Sequence, residues 1–470
     1  MSTSPHQPYQ PQPPRQTPRP RLLVPDVARG MALLGIALAN VTTGWILTSG
    51  EGPDAHFGGV DTLADKVYVV FAAMFVHVRG LPMFSTLLGF GVGLIAMSLW
   101  RRGFPLPRAR AVIAKRYGFL ALFGALHCLF LFMGDIMMLY GAMGILIGLL
   151  LSLTDKTLLR VAYVLFGIQV VGGIGLGVAA MLVDTSGLDL GSTSPAESYL
   201  WLVGEQALAL IAQVASIPFT GLAVLPAMLV GFVWARRGTL AGGHRKELWV
   251  WTLIAAAIIL GIGLPWGLSA AGFLDPSLGG ALNAANSCIG MLTGPGIVAA
   301  ATLALEPLQR RGARPWFLWP LVALGKRSMT GYVLQSVFFL ALVYPFTLNI
   351  GPDFSAAGQA ALAAGVWLAT LVIACALEAA GKPGPFEWVH RRLSYGKTMR
   401  PELGAVLTDV PGAPAHPPAA PGLPSGPPTG PQPGAFPPPF PQQEAAPHAF
   451  GPPSQPQRPE EDWRRGSGPA

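Results

Sequence analysis

The sequence predicts an all-α integral membrane protein of about ten transmembrane helices, with both ends cytoplasmic and both ends disordered. Three observations lead there. Only 11% of the 470 residues are charged while 51% are hydrophobic, whereas a soluble domain carries charge at roughly a quarter of its positions. The apolar residues fall in runs of about 20, the length a helix needs to cross a hydrocarbon core about 30 Å thick at about 1.5 Å per residue. Lys and Arg, finally, alternate between the connections as a bilayer imposes.

The ends frame the fold. Residues 1–24 are expected to be a disordered N-terminal segment, 25–398 the helical membrane domain, and 399–470 a disordered cytoplasmic tail rich in Pro and Gly. Residues 1 to 25 and 401 to 470 hold 29 of the 46 prolines, and such segments bury too little apolar surface to offset the entropy of ordering. PPPFPQ from Pro437 could offer a polyproline helix to an aromatic groove, although a solvated spacer is the plainer reading. The polar start does not look like a cleavable signal peptide.

Between them, candidate spans run over 29–49, 81–100, 112–133, 136–153, 159–182, 206–235, 248–271, 284–305, 318–347 and 355–380. Arg15, Arg19, Arg21 and Arg29 precede the first span, and Arg101, Arg102, Arg108, Arg110, Lys115 and Arg116 follow the second. Lys156 and Arg160, then Arg236, Arg237, Arg245 and Lys246, then Arg310, Arg311, Arg314, Lys326 and Arg327 fill the later connections on the same side. The opposite connections, near 134 and at 183–204, 272–283 and 348–356, have no Lys or Arg and carry Asp135, Asp184, Asp189, Glu197, Asp275 and Asp353. Basic span ends stay inside, so this pattern predicts a multi-pass protein of the inner or plasma membrane with both termini cytoplasmic. The net charge of +8 is thereby assigned to the lipid bilayer, and no nucleic acid partner is expected.

The stretch 61–80 is apolar but interrupted by Asp65, Lys66, His77 and Arg79, and Pro82 follows it. Joined to the next span it would make a helix of roughly 50 Å, so a separate helix at the outer interface, ending near Arg79, is expected. The GFGVG from Gly89, the GGIGLG from Gly172 and the Gly144/Gly148 pair read as close helix packing rather than nucleotide loops, because no strand precedes them.

Ionisable groups inside a membrane are costly, about 2.5–3.5 kcal/mol for Arg at a helix centre, and so mark candidate sites. Arg79 and Lys66 stand outside the cytoplasmic segments; Arg79 reads either as an interfacial residue snorkelling to water or as an anion-binding group. His127, with Asp135 a few residues on in the turn MGDIM, is the first catalytic candidate, because a carboxylate beside an imidazole fixes its tautomer and raises its basicity. The alternative is a buried histidine bonded to a neighbouring helix. His77 and His56 come to the same face under this topology. No pair has ligand spacing for a metal, and Cys128, Cys288 and Cys375 read as packing residues. Asn40, Gln335 and Ser336, near span centres alongside Thr330 and Tyr332, read as interhelical hydrogen-bonding groups worth about 0.6 kcal/mol each.

RLLVPDVARGMALLGIALAN from Arg21, RGLPMFSTLLGFGVG from Arg79, LHCLFLFMGDIMMLYGAMG from Leu126, GKRSMTGYVLQS from Gly325 and GPFEWVHRRLSYG from Gly384 resemble, in that order, the YeiB-like family of bacterial membrane proteins. The opening motif is also similar to that of transmembrane acyltransferases, including the heparan-α-glucosaminide N-acetyltransferase group, which pass an acyl group from cytoplasmic acyl-CoA across the membrane. That similarity implies Asp26, Arg29 and Gly30 at the donor entrance, acyl-CoA as a co-substrate rather than a resident cofactor, and a small-molecule or glycan acceptor. Many such enzymes carry a histidine in the first span, where this chain has Asn40, so the base must come from elsewhere. Acyl transfer using His127, Asp135, Arg79 and His77 is therefore one expectation. A proton- or anion-coupled transporter using the same groups is the other, and a scaffold presenting the Pro-rich tail is a third.

Overall fold

A computed structural model describes residues 22–46, 57–182, 196–313 and 315–402. His56, Asp184, Asp189 and most of both proline-rich ends lie outside the described residues. Those described form fifteen α-helices and no strand. In order they are α1 (Leu23–Asn40), α2 (Leu63–Phe75), α3 (Gly80–Arg101), α4 (Leu106–Phe130), α5 (Met137–Leu149) and α6 (Asp155–Leu182). Next come α7 (Tyr199–Arg237), α8 (Arg245–Ile258), α9 (Leu264–Ala270), α10 (Leu278–Ile289) and α11 (Thr293–Arg310). The last four are α12 (Trp319–Lys326), α13 (Ser328–Val343), α14 (Ala356–Ala379) and α15 (Pro385–Tyr395).

Among the described residues eight helical stretches are long and apolar enough to cross a membrane, and Met137–Ser152 and Ser328–Val343 are shorter apolar helices. The surface agrees with lipid as solvent. Val171 on α6, Leu208 and Phe219 on α7 and Val372 on α14 are each at least 66% exposed, an arrangement that water would oppose and hydrocarbon accepts. The chain is a multi-pass membrane protein.

Two joints shape the bundle. A capping box starts α2: Thr62 Oγ1 accepts from Asp65 N, and Asp65 Oδ2 accepts from Thr62 N at 2.8 Å. The helix stops at Phe75, Val78 takes a left-handed φ of 58°, and α3 restarts at Gly80 with Pro82 in its first turn. Arg79 stabilises the break, donating from Nε to Met74 O at 2.9 Å and from Nη1 to Val78 O at 3.2 Å, a cation on the carbonyl end of α2. The second joint differs from the sequence reading: the span expected over 318–347 is split at Arg327 into α12 and α13. Arg327 is only 5% exposed, and it donates from Nη1 to Ala323 O at 3.2 Å and to Glu378 Oε2 at 2.6 Å. The helix yields where a buried guanidinium must be satisfied.

The glycine motif at Gly89 packs closely, whereas Gly172 and Gly175 of the GGIGLG motif meet nothing within 4 Å. At the α3–α7 crossing a Cβ on Gly89 would stand 1.9 Å from Met228 O, and one on Gly231 would stand 1.9 Å from Thr86 O. The backbones touch there. Around this crossing lies the larger apolar core, including Leu87, Phe90, Phe232 and Trp234.

Connections of like charge character touch one another. Arg110 donates to Leu149 O at 2.8 Å, Arg236 and Arg237 lie 3.2 and 3.3 Å from Asp155, and Arg116 donates to Tyr395 Oη at 3.3 Å. At the other end Ala356 N donates to Gly59 O at 2.9 Å, Ala357 N to Asp65 Oδ1 at 2.9 Å, and Tyr199 Oη to Phe130 O at 3.1 Å.

Candidate functional site

A chain of three buried polar side chains crosses the bundle. His127, one turn from the end of α4, places Nδ1 2.8 Å from Asp135 Oδ2 and Nε2 2.8 Å from Ser336 Oγ on α13. His127, Asp135 and Ser336 are 4%, 2% and 3% exposed. The local sequence explains the first contact. Helix α4 ends at Phe130, a tight turn through Gly134 reverses the chain, and Asp135 meets the start of α5, where its Oδ1 accepts from Met138 N at 2.8 Å. Asp135 thereby satisfies one of the free N–H groups that begin α5. Gly124 stands three residues before His127, and a Cβ there would lie 2.5 Å from Asp135 Oδ1 and 2.1 Å from Met138 N. Only a glycine lets the carboxylate come this close.

Rings enclose the imidazole. Tyr332, one turn before Ser336, lies with its centroid 4.9 Å from that of His127, and Phe132 meets His127 edge-on at 6.4 Å. Phe132 stacks on Trp45 at 4.6 Å, and Trp45 on Phe339 at 5.4 Å. Trp45 belongs to a π-helical turn, Val41–Trp45, that ends α1.

On the other side of Tyr332 lies a cavity of about 370 Å³. Its inner wall is Ile136, Met137, Tyr140 and Tyr332, its shaft is Leu33, Ile36, Phe84, Leu88 and Leu120, and its mouth carries Arg29, Arg116, Lys326, Glu387 and His390. A second cavity of about 700 Å³ shares Arg116, Lys326, Glu387 and His390 and adds Arg327, Lys382, Arg391 and Glu378, whose carboxylate pairs with Lys326 and Arg327. The two adjoin, so a basic vestibule opens into an apolar shaft that ends one side chain from His127. Helix α15 forms the rim. Glu387 caps α13 from across the gap, accepting from Met329 N at 2.8 Å and Thr330 N at 3.0 Å. His390 Nε2 lies 2.8 Å from Arg116 O, and burial, reinforced by the Arg116 guanidinium, lowers its pKa from 6.5 to about 4.

The remaining candidates fall elsewhere. Arg79, 2% exposed, reaches Asn286 Oδ1 at 2.9 Å besides its two carbonyls, so its guanidinium ties the α2–α3 joint to α10. His77 is buried edge-on to Phe57 at 4.9 Å and Trp266 at 5.6 Å. Both belong to the joint, and neither has a described contact with His127. Of the three residues implied at the donor entrance, Arg29 lines the cavity. Asp26 is buried beside it at 3.9 Å, and Gly30 lets Leu321 O of α12 come within 2.4 Å of where its Cβ would be. Among the described residues no three His, Cys, Asp or Glu side chains are placed to hold a metal ion.

Ser336, Tyr332 and Glu387 escape sequence reasoning as site residues. Ser336 is 209 residues from His127, and no spacing links them. The one available signal is its position as a polar group in the middle of an apolar run.

Comparison with known proteins relates the site to a family. Residues 234–397 match the model of the family described as "Protein of unknown function (DUF418)", a segment that contains Tyr332, Ser336 and Glu387. The chain is 25% identical over 407 residues to the uncharacterized protein YeiB of Escherichia coli (strain K12), covering 78% of this chain and 95% of that one. It is 30% identical over 154 residues to the uncharacterized protein YxaH of Bacillus subtilis (strain 168), covering 32% of this chain and 38% of that one. The DUF418 match over residues 234–397 and the similarity to YeiB along most of both chains agree with the ordered motifs and the helical bundle in relating the chain to the YeiB-like proteins, whose function is unknown.

Proposed function

We propose that the protein is a transmembrane acyltransferase that takes an acyl group from acyl-CoA and passes it to a hydroxyl or amine of a cell-envelope acceptor. The observation that carries this reading is the imidazole of His127, beside Asp135 and separated only by Tyr332 from the inner end of an apolar shaft whose mouth is basic. Arg29, Arg116, Lys326 and Lys382 attract the phosphates of the donor. The shaft takes the acyl chain and excludes water. Asp135, with Oδ2 2.8 Å from Nδ1, stabilises the imidazolium that forms when His127 accepts a proton. In this reading the bilayer is the plasma membrane and the basic mouth faces the cytoplasm, as do both termini. The contacts among the Arg- and Lys-bearing connections support that orientation, because cations near span ends remain inside.

The test is turnover in liposomes. Purified protein with radiolabelled acetyl-CoA and an envelope lipid and glycan extract is expected to release CoA and label an acceptor, and His127→Ala is expected to lose ~10²–10⁴ of that rate, the usual contribution of a positioned base. Accumulation of a solute driven by a pH gradient, without CoA release, would instead establish transport.

A further inference from the structure

Resting on the acyl-transfer reading, we infer that Ser336 is the nucleophile and that the acyl group rides on its Oγ between donor and acceptor. The inference starts from how hydroxyls behave in this bundle. A Ser or Thr within a helix ordinarily returns its proton to the carbonyl four residues back, as three buried ones here do: Ser85 to Leu81 O at 2.8 Å, Thr86 to Pro82 O at 2.9 Å, and Thr302 to Val298 O at 2.7 Å; Thr330 on the same helix as Ser336 instead turns to the carboxylate of Glu387. Ser336 has the same burial and the same helical setting, yet its hydroxyl is aimed across the bundle at His127 Nε2. The other imidazole nitrogen faces Asp135. Hydroxyl, imidazole and carboxylate thus stand in the order, and at the separations, of an activated nucleophile with its base and the group that orients the base.

Behind the interhelical pair stands a third, ionisable group: Asp135, which also caps α5, is buried at 2% exposure beside the imidazole. The geometry also constrains the base. The partner at Nε2 is Ser336 Oγ, so the first proton His127 takes is the serine's. One helical turn away the buried Tyr332 lines the shaft, with its hydroxyl close to the Ile136 backbone. Its O–H would be the donor to an oxyanion forming beside Ser336.

The steps balance. Ser336 Oγ attacks the thioester carbonyl as its proton passes to His127 Nε2. The C–S bond breaks, and the CoA thiolate leaves with that proton. An acceptor hydroxyl or amine then gives its proton to Nε2 and attacks the serine ester, and Ser336 Oγ leaves and recovers the proton.

The experiment traps the intermediate. Full-length protein in liposomes is mixed with radiolabelled acetyl-CoA in the absence of acceptor, quenched in acid, digested and sequenced by mass spectrometry. An acetyl group on the peptide containing Ser336 is expected, lost in Ser336→Ala and reduced at least ~100-fold in His127→Ala. Ser336→Cys is expected to carry the label as a thioester that neutral hydroxylamine removes. With acceptor present, initial rates are expected to give the parallel reciprocal plots of a two-stage exchange. CoA release with acceptor labelling but no label on Ser336, or a Ser336→Ala chain that melts like the wild type and transfers at its rate, overturns the inference and leaves the acyl-transfer reading standing. No CoA release with any acceptor removes both. Should Ser336→Ala fail to fold, trapping on the wild type decides alone.

Discussion

Replacing Gly124 by alanine adds one methyl where α4 meets the turn carrying Asp135. The added Cβ would stand 2.1 Å from Met138 N and 2.5 Å from Asp135 Oδ1, where ordinary contact begins at 3.4 Å. The backbone of α5 must therefore retreat by roughly 1 Å, since close-packed interiors have no slack to absorb it. Such overpacking costs about 1–3 kcal/mol of stability. It also draws the carboxylate away from His127 Nδ1, now 2.8 Å distant, and a misplacement of about 1 Å in a catalytic arrangement costs ~10²-fold. Gly124→Ala is expected to lower kcat for acyl transfer by about that factor while KM for acyl-CoA stays near the wild-type value, because the basic mouth lies at the other end of the shaft. Gly118→Ala on the same helix is the control. A Cβ there meets nothing within 4 Å, so it should leave the rate unchanged and stabilise slightly. Steady-state CoA release in liposomes, with a melting curve for each variant, decides the matter. A Gly124→Ala protein with wild-type kcat would refute the coupling of Asp135 to function through this contact.

Two further outcomes follow from the rim. His390 is held neutral in the fold, with a pKa lowered from 6.5 to about 4, so its contribution is complete above pH 6.5 and lost as pH falls toward 4. The unfolded chain binds a proton in that window and the folded one does not; the shift of about 2.5 units corresponds to roughly 3 kcal/mol. Protease cleavage within α15 should therefore rise between pH 6.5 and 4, and His390→Phe should remove that rise. Glu387→Ala removes the cap from α13 and should cost about 1–2 kcal/mol, read as a lower melting temperature, with a smaller loss for Glu387→Gln.

How much of this could be read beforehand depends on distance along the chain. The spans are legible because lipid acts on every residue of a run, and among the described residues eight helical stretches are long and apolar enough to cross a membrane. The glycine motif at Gly89 is legible because close packing of backbones is a local demand. His127 and Asp135 could be paired because one tight turn joins them. The bond from His127 to Ser336 could not, nor could the tie of Arg79 to Asn286, 207 residues away, because tertiary packing alone brings such groups together. The break at Arg327 was hidden for a related reason. Apolar residues continue across it from Trp319 to Val343, and what ends the helix is the pull of Glu378 and of Lys382 O from other segments.

The stacked rings of Trp45, Phe132 and Phe339 close over one side of His127. On the acyl-transfer proposal, an acceptor entering on that side would need one of these rings to move. The π-helical turn Val41–Trp45 is the place with slack, because it holds one residue more than an α turn. Tightening it by that residue would swing Trp45 about 100° around the helix axis and lift it from Phe132. Passage through this shutter, rather than bond making, would then set the pace of each cycle.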